Sequence, residues 1–168
     1  MNSCRLCENE RELKNSHIIP EFIYKPLYDD KHRFDMLSNL KTRGPAKLQK
    51  GIREYLLCEQ CEGSLSKYER YVSLILSGQI HIAPHRNGKL VYLEGVDYKQ
   101  LRLFGLSVLW RASVSSLKIF EQVKLGPHEE ILRRMILNED PGKPDKYPFM
   151  LAPVVHHDEV QTDLIMLK

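Results

Sequence analysis

The feature that most constrains this chain is a cysteine spacing that occurs twice, as Cys4-Arg5-Leu6-Cys7 and again, well downstream, as Cys58-Glu59-Gln60-Cys61. These are all the cysteines it has. Two Cys-x-x-Cys loops can close one tetrahedral site, because each presents two thiolates about 2.3 Å from a single Zn²⁺ and together they leave no position open for chemistry. The spacing predicts a structural zinc on Cys4, Cys7, Cys58 and Cys61. Reduced core cysteines, a redox dithiol or disulfides are the alternatives. Two identical spacings weigh against them, as does the intracellular character of the chain.

Composition sets the scale of what surrounds that site. With 168 residues, 42% of them hydrophobic, the chain can bury one sizeable core, with a metal-held lobe at its front. No basic-then-apolar leader precedes Cys4, and no apolar run reaches the roughly 18 residues of a membrane span, so a cytoplasmic protein is expected. A formal charge of +3 does not by itself imply a nucleic-acid partner. The distribution is more informative: from Lys14 to Arg53 there are nine Lys or Arg against four Asp or Glu, a local basic stretch. A merely solvated lysine-rich loop is the competing reading.

In order along the chain, Cys4 to Cys7 reads as a tight knuckle and Glu12 to Ile19 as a short strand that Pro20 must stop, delivering His17 near its end. Glu21 to Tyr28 suits a short helical turn. Asp29 to Lys50, with Gly44-Pro45 inside, shows no clear period and reads as a long loop. Arg53 to Leu57 is a strand ending on Cys58. After Cys61, the spacing of Leu65, Tyr68, Val72, Ile75 and Leu76 places them on one helical face, with Gly78 as the stop. Knuckle, hairpin and helix in that order make a treble clef. Gln79–Ala83 and Lys89–Leu93 flank Asn87-Gly88 as a hairpin. Leu101 to Phe120 is apolar around most of its circumference and predicts a buried helix. Gly126-Pro127 opens another helix with acids in its first turn. Pro141 to Pro148 ends it, and Phe149–Val155 and Val160–Leu167 are two further strands. The fold class is therefore α+β: a zinc-bound module over residues 1–77, packed on a small helical and β-hairpin body over residues 78–168.

Cys4-x-x-Cys7, Ser16-His17-Ile18-Ile19-Pro20 and Leu57-Cys58-x-x-Cys61-Glu62 together resemble the zinc-stapled branch of the HNH (ββα-metal) endonucleases, over roughly residues 4–70. The resemblance implies that His17 is the general base that activates water. It also implies that a catalytic divalent cation, Mg²⁺ or Mn²⁺, is held by the residue before the histidine and by the residue after the last cysteine, here Ser16 and Glu62. Such a base is chemically sound, since a neutral imidazole takes a proton from water near pH 7 while a hard cation neutralises charge on the scissile phosphate. Ser16 stands where the family usually has an acid, and Glu62 supplies a carboxylate where it more often has nitrogen or an amide. The family's orienting Asn has no counterpart in Gly51-Ile52-Arg53-Glu54; Asn15 and Asn39 are the nearest substitutes.

Other polar residues have structural readings beside functional ones. Arg111, in the apolar helix, fits a buried ion pair better than a phosphate contact. Glu69 is either an outer acid of the His17 site or a solvated helix residue, and His81, His85, His156 and His157 show no ligand spacing. Two functions follow. The first is a metal-dependent HNH-like endonuclease acting on nucleic acid, DNA ahead of RNA, with Lys41, Arg43, Lys47, Lys50 and Arg53 gripping the backbone. The second is a catalytically inactive treble-clef module that binds nucleic acid or a protein partner, the C-terminal body offering a surface for that partner or a second copy.

Overall fold

The computed structural model describes residues 3–36, 46–88, 90–148, 154–156 and 159–161. Its centre is a hairpin formed by β1 (Leu13–His17) and β4 (Arg53–Cys58), paired antiparallel from Leu13 opposite Cys58 to His17 opposite Arg53. The register slips between Lys14 and Asn15, whose partners are Leu57 and Tyr55, so Leu56 is an extra residue. Strand neighbours normally face opposite sides. This bulge lets Leu56 and Leu57 both enter the core, at 2% and 0% exposure, and frees the Leu56 carbonyl to accept the Arg5 amide at 3.1 Å.

β4 leads directly into α2 (Glu59–Leu76), with extended Cys58 as the cap residue. Cys61, Leu65, Tyr68, Tyr71 and Val72 form its buried stripe. Gly78 ends the helix in the left-handed region at φ +73, donating to the Ile75 carbonyl, while Gln79 and Ile80 donate to that of Leu74. α2 packs on α3 (Tyr98–Val114), which packs in turn on α4 (His128–Leu137). Asp97 caps α3 by accepting the Gln100 amide at 3.0 Å. The burial of Leu103, Phe104, Leu106 and Trp110 bears out a helix apolar on most sides, each such side chain contributing about 1.5–3 kcal/mol. The helix ends at Val114 rather than running to Phe120. Ser115 and Ser116 turn out of it to bind the Glu54 carboxylate, and Lys118–Phe120 form a single 3₁₀ turn.

Two other expectations are corrected. The stretch read as one long loop contains a second hairpin, β2 (Arg33–Met36) with β3 (Ala46–Gln49), anchored by buried Phe34. The hairpin around Asn87-Gly88 is also shifted: β5 is Ala83–Asn87 and β6 is Leu90–Glu94, so Asn87 belongs to a strand and pairs with Leu90. Pro84 fits because a two-stranded ribbon leaves an edge where no donor is needed. α1 (Glu21–Tyr24) with the 3₁₀ turn Lys25–Leu27, and β7 (Val154–His156) paired with β8 (Glu159–Gln161), complete a mixed architecture. It has four helices and small two-stranded sheets among the described residues. No helix among them is long and apolar enough to cross a membrane.

Candidate metal centre and the His17 site

The knuckle that carries the first two cysteines is held by its own backbone. Cys4 donates to the Asn9 carbonyl at 3.0 Å, Glu8 donates to the Cys4 carbonyl at 2.8 Å, and Glu8 sits at φ +62 to make the turn. α2 and the end of β4 present the other pair. All four Sγ atoms lie within 4.8 Å of one another, Cys7 and Cys58 being 3.9 Å apart. A tetrahedral ion with metal–sulfur bonds of 2.3 Å needs sulfurs about 3.8 Å apart, so the donor set fits a metal ion such as zinc. The Cys58 amide points at Cys4 Sγ from 3.3 Å, the kind of N–H donor a thiolate uses. Among the described residues no other group of three or more His, Cys, Asp or Glu side chains converges in this way. α4 closes the knuckle from outside: Arg133 Nη1 donates to the Leu6 carbonyl at 2.6 Å and its guanidinium pairs with Glu8 at 3.3 Å and Glu130 at 2.6 Å.

At the other end of the β1–β4 hairpin stands His17, half-buried, with three groups around Nε2. The Lys50 carbonyl oxygen and Glu21 Oε2 are each 3.0 Å away, and Arg53 Nε is 2.9 Å away. A proton on Nε2 serves either acceptor, and Arg53 Nε–H then donates to the Lys50 carbonyl, also 2.9 Å from it. In the opposite tautomer the bare Nε2 accepts from Arg53 Nε–H at 2.9 Å. Nε2 thus finds a partner in either tautomer, donating to Glu21 or the Lys50 carbonyl or accepting from Arg53, whereas no partner engages Nδ1 among the described residues. Burial, followed by the Arg53 guanidinium, holds the ring below the ordinary histidine value and outweighs the pull of the Lys50 carbonyl, Glu21 and Glu69 in the other direction. His17 is thus neutral near pH 7. Arg53 completes the triangle by donating from Nη2 to Glu21 Oε2 at 2.8 Å.

Comparison with protein-family models, with curated proteins and with solved structures finds no match for this chain.

The remaining sequence-predicted residues fall into separate environments. Ser16 is buried, and its hydroxyl donates to the Lys14 carbonyl at 3.2 Å and accepts the Leu57 amide at 3.3 Å, so it pins the bulge. Glu62 lies in the first turn of α2 with Oε1 buried and unpartnered, and no hydrogen bond joins it to His17 among the described residues. Lys50 is exposed at φ +60 and turns its carbonyl to His17. Lys47 is exposed beside Asp35 at 3.6 Å, and Lys41 and Arg43 lie outside the described residues. Sequence reasoning missed Glu21. The available signal was its place four residues after His17, just past the Pro20 that turns the chain back on the strand end. Arg111 is the buried, carboxylate-paired arginine its helix suggested, 1% exposed and 2.8 Å from Glu69.

Proposed function

We propose that this chain is a metal-dependent, HNH-like endonuclease. Cys4, Cys7, Cys58 and Cys61 hold a structural Zn²⁺ that frames a treble-clef hairpin and helix, and His17 is the general base for hydrolysis of a nucleic-acid phosphodiester, DNA ahead of RNA. The observation that carries this reading is the His17 ring: neutral, anchored through Nε2 among Glu21, Arg53 and the Lys50 carbonyl, and without a partner at Nδ1 among the described residues. In the Nε2–H tautomer Nδ1 takes the proton from an attacking water, and the Glu21 carboxylate, 3.0 Å from the opposite nitrogen, favours the imidazolium so formed. A divalent Mg²⁺ or Mn²⁺, when bound, would supply charge neutralisation at the phosphate. The orphaned Oε1 of Glu62 is a hard oxygen of the kind such an ion takes, with Ser16 the second residue the resemblance implies.

One observation favours a second reading. The carboxylates at His17 each have a guanidinium partner, Glu21 with Arg53 and Glu69 with Arg111, and the Ser16 hydroxyl is spent inside the hairpin. A zinc-framed module that binds nucleic acid or a protein without cleaving anything would look the same. The two readings separate on incubating the purified protein with single- and double-stranded DNA and RNA in Mg²⁺ or Mn²⁺. Cleavage is expected, and His17→Ala should lower it by about 10²–10⁴-fold with zinc content, melting and nucleic-acid binding retained. No metal-dependent cleavage of any substrate, with Ser16→Asp failing to awaken it, would leave only the binding module.

A further inference from the structure

The backbone of His17 is held from a distant part of the chain. Arg111, on the last turn of α3, donates from Nη1 to the His17 carbonyl oxygen at 2.8 Å and places the same nitrogen 2.8 Å from Glu69 Oε1 on α2. Its Nε faces the Ser107 carbonyl at 3.3 Å, and the side chain is 1% exposed. One rung along the hairpin, the same end of α3 takes hold of the other strand: Glu54, opposite Ser16, accepts from Ser115 Oγ at 2.6 Å and from the Ser116 amide at 3.1 Å. α3 thus grips both strands where His17 stands, and it does so through a buried cation that α2 neutralises.

We infer that Arg111 is the positioning residue of the His17 site, with Glu69 as the carboxylate that holds Arg111 in place. Glu69 lies seven residues beyond Glu62 on α2, about 10 Å along the helix axis, and it is this later acid that pairs with Arg111. A buried guanidinium keeps its charge, and a carboxylate at 2.8 Å compensates the cost of burying it. The bridge therefore fixes the end of β1 against both helices. Nε2 of the ring then meets Glu21, Arg53 and the Lys50 carbonyl, and Nδ1 is left without a partner among the described residues. Arg111 touches no reacting atom; it acts through His17.

The catalytic part of this inference rests on the nuclease reading, so the experiment carries two readouts that do not. In the purified protein, the ring nitrogens of His17 are followed by ¹⁵N NMR for tautomer and titration, and the Ile18 amide, which donates to the Ile52 carbonyl at 3.0 Å, by hydrogen exchange. In Arg111→Met the tautomer balance of the His17 ring is expected to shift, as Nε2 loses its fixed place among Glu21, Arg53 and the Lys50 carbonyl. Exchange of the Ile18 amide should rise by about 10–10²-fold, the weight of a charge-assisted hydrogen bond, while the Leu57 amide on Ser16 Oγ stays protected. Arg111→Lys, which retains a cationic donor for the His17 carbonyl, should recover part of both. If Arg111→Met fails to fold, Glu69→Gln decides: it keeps the shape and removes the charge, and a several-fold rise at Ile18 is expected. Where cleavage is measurable, kcat should fall by about 10–10²-fold with KM unchanged. Absence of cleavage in the parent protein refutes the nuclease and leaves the positioning test standing. An unaltered His17 ring spectrum and Ile18 exchange in every folded, zinc-replete variant would overturn the role of Arg111.

Discussion

Gly51 gives the most quantitative handle on the His17 site. It lies at φ +69, and a β-carbon built there would stand 2.8 and 2.9 Å from two carbons of the Tyr24 ring and 3.2 Å from Cδ2 of His17. Tyr24 is 2% exposed and packed against Phe34, so it has nowhere to retreat. Gly78 offers a matched control, with φ +73 and open space around it. In both Gly→Ala variants the left-handed backbone costs about 1–2 kcal/mol, offset by roughly 0.4–1 kcal/mol from a stiffer unfolded chain. Gly51→Ala alone adds overpacking of about 1–3 kcal/mol. For a chain of this size each kcal/mol moves the midpoint by about 2–4 °C, so Gly51→Ala should melt about 2–12 °C below Gly78→Ala. Thermal denaturation at fixed zinc and pH measures the difference directly. Equal melting of the two variants would show that the Tyr24 and His17 rings do not confine Gly51, and with them the packed geometry of this corner would fall.

Three further outcomes are expected. Chelating the metal, or Cys4→Ser or Cys58→Ser, should unfold at least residues 4–65, since apparent zinc binding in comparable small sites is worth about 10–16 kcal/mol at pH 7; unchanged melting, or far less than one zinc per chain by metal analysis, would contradict it. The folded His17 titrates below its ordinary 6.5, so the unfolded state binds more protons between the two values; His17 contributes stability fully present above 6.5 and lost as pH falls through the folded value, and the acidic limb of any cleavage profile should lie below 6.5. Nucleic-acid affinity should fall linearly with salt on a log–log plot, Lys50→Ala lowering the slope by roughly one unit and Lys47→Ala by less, because Asp35 already stands 3.6 Å from Lys47; salt-independent binding would point to a protein partner.

What could be read from the sequence was whatever repeats or has a long period. The doubled Cys-x-x-Cys, the strand stopped by Pro20, the helical spacing from Cys61 to Leu76 and the apolar helix around Trp110 each commit several residues to one pattern. The β2–β3 hairpin does not. Arg33-Phe34-Asp35-Met36 and Ala46-Lys47-Leu48-Gln49 alternate correctly, but each is four residues long and a wide separation hides the pairing. The end of α3 was obscure for another reason. Nothing in Ser113 to Leu117 forbids a helix, and it stops because Glu54, far back in the chain, takes the Ser115 and Ser116 donors. The surroundings of His17 share that difficulty. Glu21 is local, but Lys50 contributes a main-chain oxygen and Arg111 reaches across from another helix, and neither leaves a mark on the motif itself.

The bond from Arg133 to the Leu6 carbonyl spans 127 positions and ties folding to the timetable of synthesis. At ribosomal rates of about 5–20 residues per second, the first knuckle emerges roughly 6–25 seconds before the arginine that covers its carbonyl has been made. Cys58 and Cys61 appear well within that interval, so all four thiols are made before α4 can dock. Until then Leu6, buried to 2% in the finished protein, has no α4 guanidinium beside it. A nascent chain halted short of Arg133 would carry an uncapped knuckle, the species on which a chaperone or a protease would act.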